Sequence, residues 1–148
     1  MEIAVERWSP YLGAVIGTAL WAWALGMPFP APIDTLMAAA GTVSAVVVGF
    51  LASAMAIVLG LTGSPVFQQL KSAGYHAHLF GYLRSGVFGG ILFLLLSLAG
   101  FFLPIGAKPG EFSDPITWFF IIWILVGIMS LFLYVRVTLI LFKLLEKA

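Results

Sequence analysis

The chain has 148 residues, of which 62% are hydrophobic and 9% are charged, and its formal net charge is +1. This composition supplies too few polar side chains to cover the surface of a water-soluble globular protein, so it predicts a membrane protein. The length leaves room for a single membrane domain and none for a separate soluble catalytic domain. The small net charge argues against nucleic acid as a partner, because that interface needs clustered Lys and Arg. Since cysteine is absent, disulfides and thiolate chemistry are excluded from the chain itself.

Four apolar segments, each close to the length of a bilayer crossing, predict four transmembrane helices. The first follows Pro10, and we interpret it as a retained helix rather than a signal peptide because the residues before it are not a basic region. A proline-rich turn separates it from the second helix, and an interfacial connector with a short helix of its own separates the second from the third. The predicted helices cover 11–27, 33–61, 84–103 and 116–145, and the connector covers 64–83.

The distribution of basic residues predicts the orientation of these helices. If the N-terminus is cytoplasmic, Lys108 is the one basic residue that falls outside, and the other six lie on the inner side. Tryptophans and tyrosines near the predicted helix ends agree with the same crossings. The sequence therefore predicts an all-α, multi-pass protein of the bacterial cytoplasmic membrane, with both termini inside and membrane lipids around it.

Small residues recur at helical spacing on the second and third helices. Spacings of three and four place such residues on one helix face, where they let another helix approach closely. Packing, including assembly of several copies, is the first interpretation; a pore lined by the hydroxyl groups is the alternative. The residues of this predicted packing or pore face are Gly41, Thr42, Ala45, Gly49, Ser53, Ala56, Gly60, Gly86, Gly90 and Ser97. Gly13 and Gly17 form a further GxxxG pair in the first helix.

Reactive side chains are missing from the predicted membrane cores. No Asp, Glu, His or Lys lies there, and no nucleophile or metal-binding motif is present, so we expect no enzyme, no cofactor and no metal site. His76 and His78 fall in the predicted connector. We interpret them as interfacial histidines, with a metal or proton-sensing role as the alternative.

Four basic residues, Lys71, Arg84, Arg136 and Lys143, define a predicted cytoplasmic face for a partner protein or for lipid. Arg136 interrupts an apolar run near the end of the fourth helix. Its long side chain reaches the headgroups by snorkelling, or alternatively faces the bundle and binds an anionic group. The residues after it keep an amphipathic helical pattern, which needs a membrane or protein surface.

In its architecture the chain resembles the small four-helix membrane components of bacterial anti-phage defence systems, such as the Kiwa membrane subunit. The resemblance covers the topology and no motif, and it implies work with a cytosolic partner. We therefore expect a homo-oligomeric membrane subunit that acts as a sensor, an effector or an anchor for a cytoplasmic protein. The alternative is a channel or a holin-like permeabilising protein.

Overall fold

The computed structural model describes residues 2–28, 32–60, 75–104 and 107–145, and the regular structure in these ranges is helical. The helices that cover 33–60, 75–100 and 115–145 each contain a stretch long and apolar enough to cross a membrane, which confirms the helical class and the membrane character. The fourth crossing and the orientation stay predictions. The helices are α1 (Glu2–Ala19), which continues as a π-helical turn (Leu20–Ala24), α2 (Ile33–Gly60), α3 (Tyr75–Gly100) and α4 (Pro115–Leu145).

Two helices begin well before the predicted residues. Helix α1 begins before Pro10, which lies buried inside the helix rather than in front of it. A proline removes one backbone donor, and membrane helices tolerate this where neighbours satisfy the freed carbonyl. Helix α3 begins at Tyr75, so the second part of the predicted connector is helical. The predicted interfacial helix at 65–73 lies outside the described residues.

Helix α1 ends in a tight turn that Trp21 holds in place. Gly26 and Met27 both have positive φ angles, of 67° and 54°, and this left-handed geometry is incompatible with a continued helix. The amide of Met27 donates to the carbonyl of Trp21 at 3.1 Å, and the indole of Trp21 donates to the carbonyl of Pro28, also at 3.1 Å. The turn is therefore fixed by a side chain of the helix that it terminates.

The helices pack in an order that differs from their order in the chain. Helix α2 packs on α3, α3 on α4, and α4 on α1. Two buried clusters join α2 to its neighbours near its two ends. One consists of Leu51, Leu83 and Val137, and the other of Met37, Phe120 and Trp123. Helices α2 and α3, like α3 and α4, therefore run antiparallel.

Helix α4 begins at a proline capped by an acidic side chain, as the Asp114-Pro115 pair predicts. The carboxylate of Asp114 accepts a hydrogen bond from the amide of Ile116 at 2.9 Å. The buried Thr117 hydroxyl accepts from the Gly110 amide at 2.8 Å, and the Trp118 indole donates to the Phe112 carbonyl at 2.8 Å. These contacts fix the loop before α4 to the first turn of the helix.

Candidate functional site

The predicted small residues of α3 lie inside the chain, against α2. A Cβ atom at Gly90 would stand 2.5 Å from Cγ2 of Val48, and one at Gly86 would stand 3.0 Å from Cδ1 of Leu51. Such distances show that glycine lets the two backbones approach closely. We call Gly86, Gly90, Ser97 and Gly100 the inner row of α3; all four are buried.

Polar groups also join α3 to α2 and to α4. Ser44, buried on α2, donates to the carbonyl of Gly90 across the interface at 2.7 Å. Ser97 donates to the carbonyl of Phe93 at 2.9 Å and accepts the indole N–H of Trp123 at 3.0 Å. These hydroxyls are satisfied within one chain, which is what hydrocarbon surroundings require of buried polar groups.

The predicted small residues of α2 divide into two sets. Gly41 is half-buried, and a Cβ atom there would lie 3.8 Å from Cβ of Ser97, so Gly41 belongs to the contact with α3. The others are exposed and lie on the side of α2 turned away from α3. We call this set the outer face of α2; it consists of Thr42, Ala45, Gly49, Ser53, Ala56 and Gly60.

The outer face is open as far as the structure describes the chain. Among the described residues, no atom outside the local helix backbone lies within 4 Å of a Cβ position at Gly49 or at Gly60. Only 11% of the most apolar window of α2 is buried, against 33% for the corresponding windows of α3 and α4. Helix α2 is therefore the most exposed of the three candidate membrane-spanning helices.

The hydroxyl groups on the outer face bond to their own helix. Thr42 donates to the carbonyl of Ala38 at 2.9 Å, and Ser53 donates to the carbonyl of Gly49 at 2.9 Å. With these donors satisfied, the face presents little polarity and suits contact with another apolar helix.

The GxxxG pair of α1 has a partner within the chain. A Cβ atom at Gly13 would lie 2.9 Å from Phe132, and one at Gly17 would lie 3.0 Å from Ile128, both on α4. This motif therefore holds α1 on α4, in agreement with the expectation of a close helix partner.

The structure joins Arg136 to an aromatic residue of α3. The guanidinium carbon lies 4.2 Å from the centre of the Tyr82 ring, and Nη2 donates to the Tyr82 hydroxyl at 2.9 Å. Both side chains are half-buried. The sequence placed both residues at one membrane level but gave no signal that they touch, since contact depends on how α3 and α4 are rotated.

Arg84, another of the predicted basic residues, is turned away from this pair. The side chain of Arg84 is exposed, and its guanidinium carbon lies 5.5 Å from the centre of the Phe88 ring on the same helix. Arg84 follows Tyr82 by two residues, which places it about 200° around α3 from Tyr82. Lys71 lies outside the described residues. Lys143 falls in α4, but the side chains of α4 are described only as far as Ile140. The side chains of α3 are described from Phe80 onwards, so those of His76 and His78 also lie outside the described part.

Comparison of the chain with protein-family models, curated proteins and solved structures gives no match. In the part of the chain that the structure describes, no three potential metal ligands come together. The two candidate sites are therefore the outer face of α2 and the Arg136–Tyr82 pair.

Proposed function

We propose that the chain is a membrane subunit that self-associates through the outer face of α2. The observation that carries this proposal is the opening at Gly49, where a Cβ atom would meet no other helix in the described part of the chain. Small residues give lipid tails little contact area, whereas they let the backbone of a second helix approach closely. A second copy, paired face to face around a twofold axis, satisfies this geometry.

Cysteine cross-linking in native membranes tests the association, and the natural chain contains no cysteine that would interfere. Gly49→Cys is expected to form a disulfide-linked dimer under mild oxidation. Val43→Cys is the matched control: Val43 is 62% exposed on the same helix but lies about 120° around it from Gly49. Equal cross-linking of both variants would contradict a defined interface on the outer face.

The proposed role of the assembly is that of a sensor, effector or anchor for a cytoplasmic protein, in the cytoplasmic membrane of a bacterium. Support comes from the amphipathic end of α4 and, for a role in phage defence, from the resemblance in architecture. Purification from the native host in mild detergent, followed by mass spectrometry, is expected to find one soluble protein in fixed ratio. Removal of residues 143–148 is expected to release it while the cross-link at Gly49→Cys persists.

The pore alternative has a different outcome in the same experiments. A channel formed by the oligomer conducts ions in vesicles without any soluble companion and keeps doing so after removal of residues 143–148. The internal bonds of Thr42 and Ser53 favour the subunit proposal, because these hydroxyls need no water to satisfy their donors. Ion leakage from the purified chain alone would reverse this ranking.

A further inference from the structure

We propose that Arg136 and Tyr82 bind the phosphate of an anionic phospholipid whose acyl chain lies along α4. This inference does not rest on self-association, because the residues lie on α3 and α4 rather than on the outer face of α2. It concerns the molecule's contact with its bilayer and commits to a lipid as the occupant.

The depth of Arg136 fits a phospholipid headgroup. Arg136 follows Trp118 by 18 residues on α4, which corresponds to about 27 Å along the helix axis. The hydrocarbon core of a bilayer is about 30 Å thick. If the exposed Trp118 marks one interface, Arg136 therefore lies at the opposite headgroup level.

Among the described residues, the arrangement of the pair leaves donors free for a phosphate. The ring of Tyr82 holds the guanidinium by a cation–π contact, and the hydroxyl takes a single N–H from Nη2. Arginine carries further N–H donors in a rigid fork that matches phosphate oxygens. Because the Tyr82 oxygen accepts this bond, its own O–H is available to donate to the same phosphate.

Arg136 also stands at the end of an apolar strip between two neighbouring helices. Four residues earlier, Phe132 faces α1 at Gly13, and three residues earlier, Leu133 faces α3 at Gly89. The side of α4 that carries Arg136 therefore lies between α1 and α3. Met129 and Leu125 follow on the same side of α4 towards mid-membrane, at spacings of three and four residues, and both are half-buried. They offer an acyl chain an apolar surface next to the charged group.

Native mass spectrometry of lipids retained by the full chain tests the proposal. The protein is extracted in mild detergent from vesicles of phosphatidylcholine and phosphatidylglycerol in equal amounts, and retained lipids are counted. The wild type is expected to retain phosphatidylglycerol preferentially. Arg136→Gln is expected to lower the ratio of the two lipids about fivefold, the effect of about 1 kcal/mol that one basic residue supplies near a membrane.

Arg84→Gln is the matched control, since it removes the same charge from an exposed side chain away from the pair. It is expected to lower the ratio clearly less than Arg136→Gln does, and an equal effect of both variants would overturn the site in favour of diffuse attraction. Tyr82→Phe removes only the hydroxyl and is expected to lower the ratio by a smaller factor. If Arg136→Gln does not fold, an unchanged ratio in Tyr82→Phe overturns the proposal by itself.

Soluble glycerol phosphate distinguishes a lipid site from a simple anion site. It carries the headgroup phosphate without acyl chains, so it is expected to leave the retained phosphatidylglycerol in place. Displacement of that lipid by an equal concentration of glycerol phosphate would overturn the assignment of a phospholipid, because the apolar strip would then contribute nothing.

Discussion

The rows of small residues on α2 and α3 look alike in the sequence but have different surroundings in the structure. The inner row of α3 is buried against α2, with Gly90 in direct reach of Val48. The outer face of α2 is exposed, and a Cβ atom at Gly49 would meet nothing within 4 Å among the described residues. One row therefore supports the fold of the single chain, whereas the other is uncovered in the part of the chain that the structure describes. The spacing of small residues alone does not show which row is buried.

The largest expected effect comes from filling the inner row. In Gly90→Leu the new side chain has no room beside Val48, so α2 and α3 must separate. We expect the free energy of unfolding to fall by about 3 kcal/mol, the upper part of the usual range for overpacking. Titration with sodium dodecyl sulphate, followed by circular dichroism, measures this loss. Wild-type stability would mean that α2 does not pack on α3 as described.

The same substitution on the outer face is expected to spare the fold and weaken the assembly. Since a Cβ atom at position 49 meets no other helix in the described part of the chain, the unfolding curve of Gly49→Leu should match that of the wild type. A leucine there holds a second helix away, and we expect the dimer dissociation constant to rise about tenfold, which is about 1.4 kcal/mol. Energy transfer between labelled copies, diluted stepwise in lipid, measures the constant. Unchanged association would remove the outer face as an interface.

Two serines on α2 sharpen the comparison at the level of single hydrogen bonds. Ser44→Ala removes a bond to α3 and is expected to lower stability by about 0.6 kcal/mol, the average for such bonds between membrane helices. Ser53→Ala removes a bond within α2 and is expected to change stability little. The two unfolding free energies are compared in the same detergent. An equal loss would show that Ser44 contributes nothing as a link between helices.

The smallest expected effect is a difference between two glycine-to-alanine substitutions. Alanine favours a helix over glycine by about 1 kcal/mol, and Gly49→Ala should gain part of this because nothing opposes the methyl group. At Gly86 the methyl group would meet the end of the Leu51 side chain at 3.0 Å, which offsets the gain. Thermal unfolding is therefore expected to rank Gly49→Ala above Gly86→Ala. The reverse order would indicate that the outer face is covered within one chain.

Some features of the fold follow from local sequence. Long apolar segments with few charges predict α2, α3 and α4, because the backbone must satisfy its own hydrogen bonds in lipid. The Asp114-Pro115 pair predicts the beginning of α4, since a carboxylate can cap the free amides of a helix N-terminus. Boundaries were less predictable where proline and polar residues suggested a break, as at Pro10 and in the segment before Arg84.

The candidate sites could be predicted only as alternatives. The sequence indicated that Arg136 snorkels or faces the bundle, and the structure shows a half-buried guanidinium held against Tyr82 on α3. It likewise grouped Gly41 with Gly49, although Gly41 faces Ser97 and Gly49 faces outwards. The bond from Trp123 to Ser97 carried no sequence signal, because it joins residues of two helices.

By itself, the sequence determined the membrane character of this protein, its helical class and the presence of helix faces made of small residues. These properties depend on composition and on spacing along one helix, and both can be read from neighbouring residues. Only the tertiary structure decided that α4 packs between α1 and α3, that the inner row of α3 is buried and that Arg136 meets Tyr82. The physical reason is that rotation of one helix against another depends on the fit of whole surfaces, which no short pattern specifies.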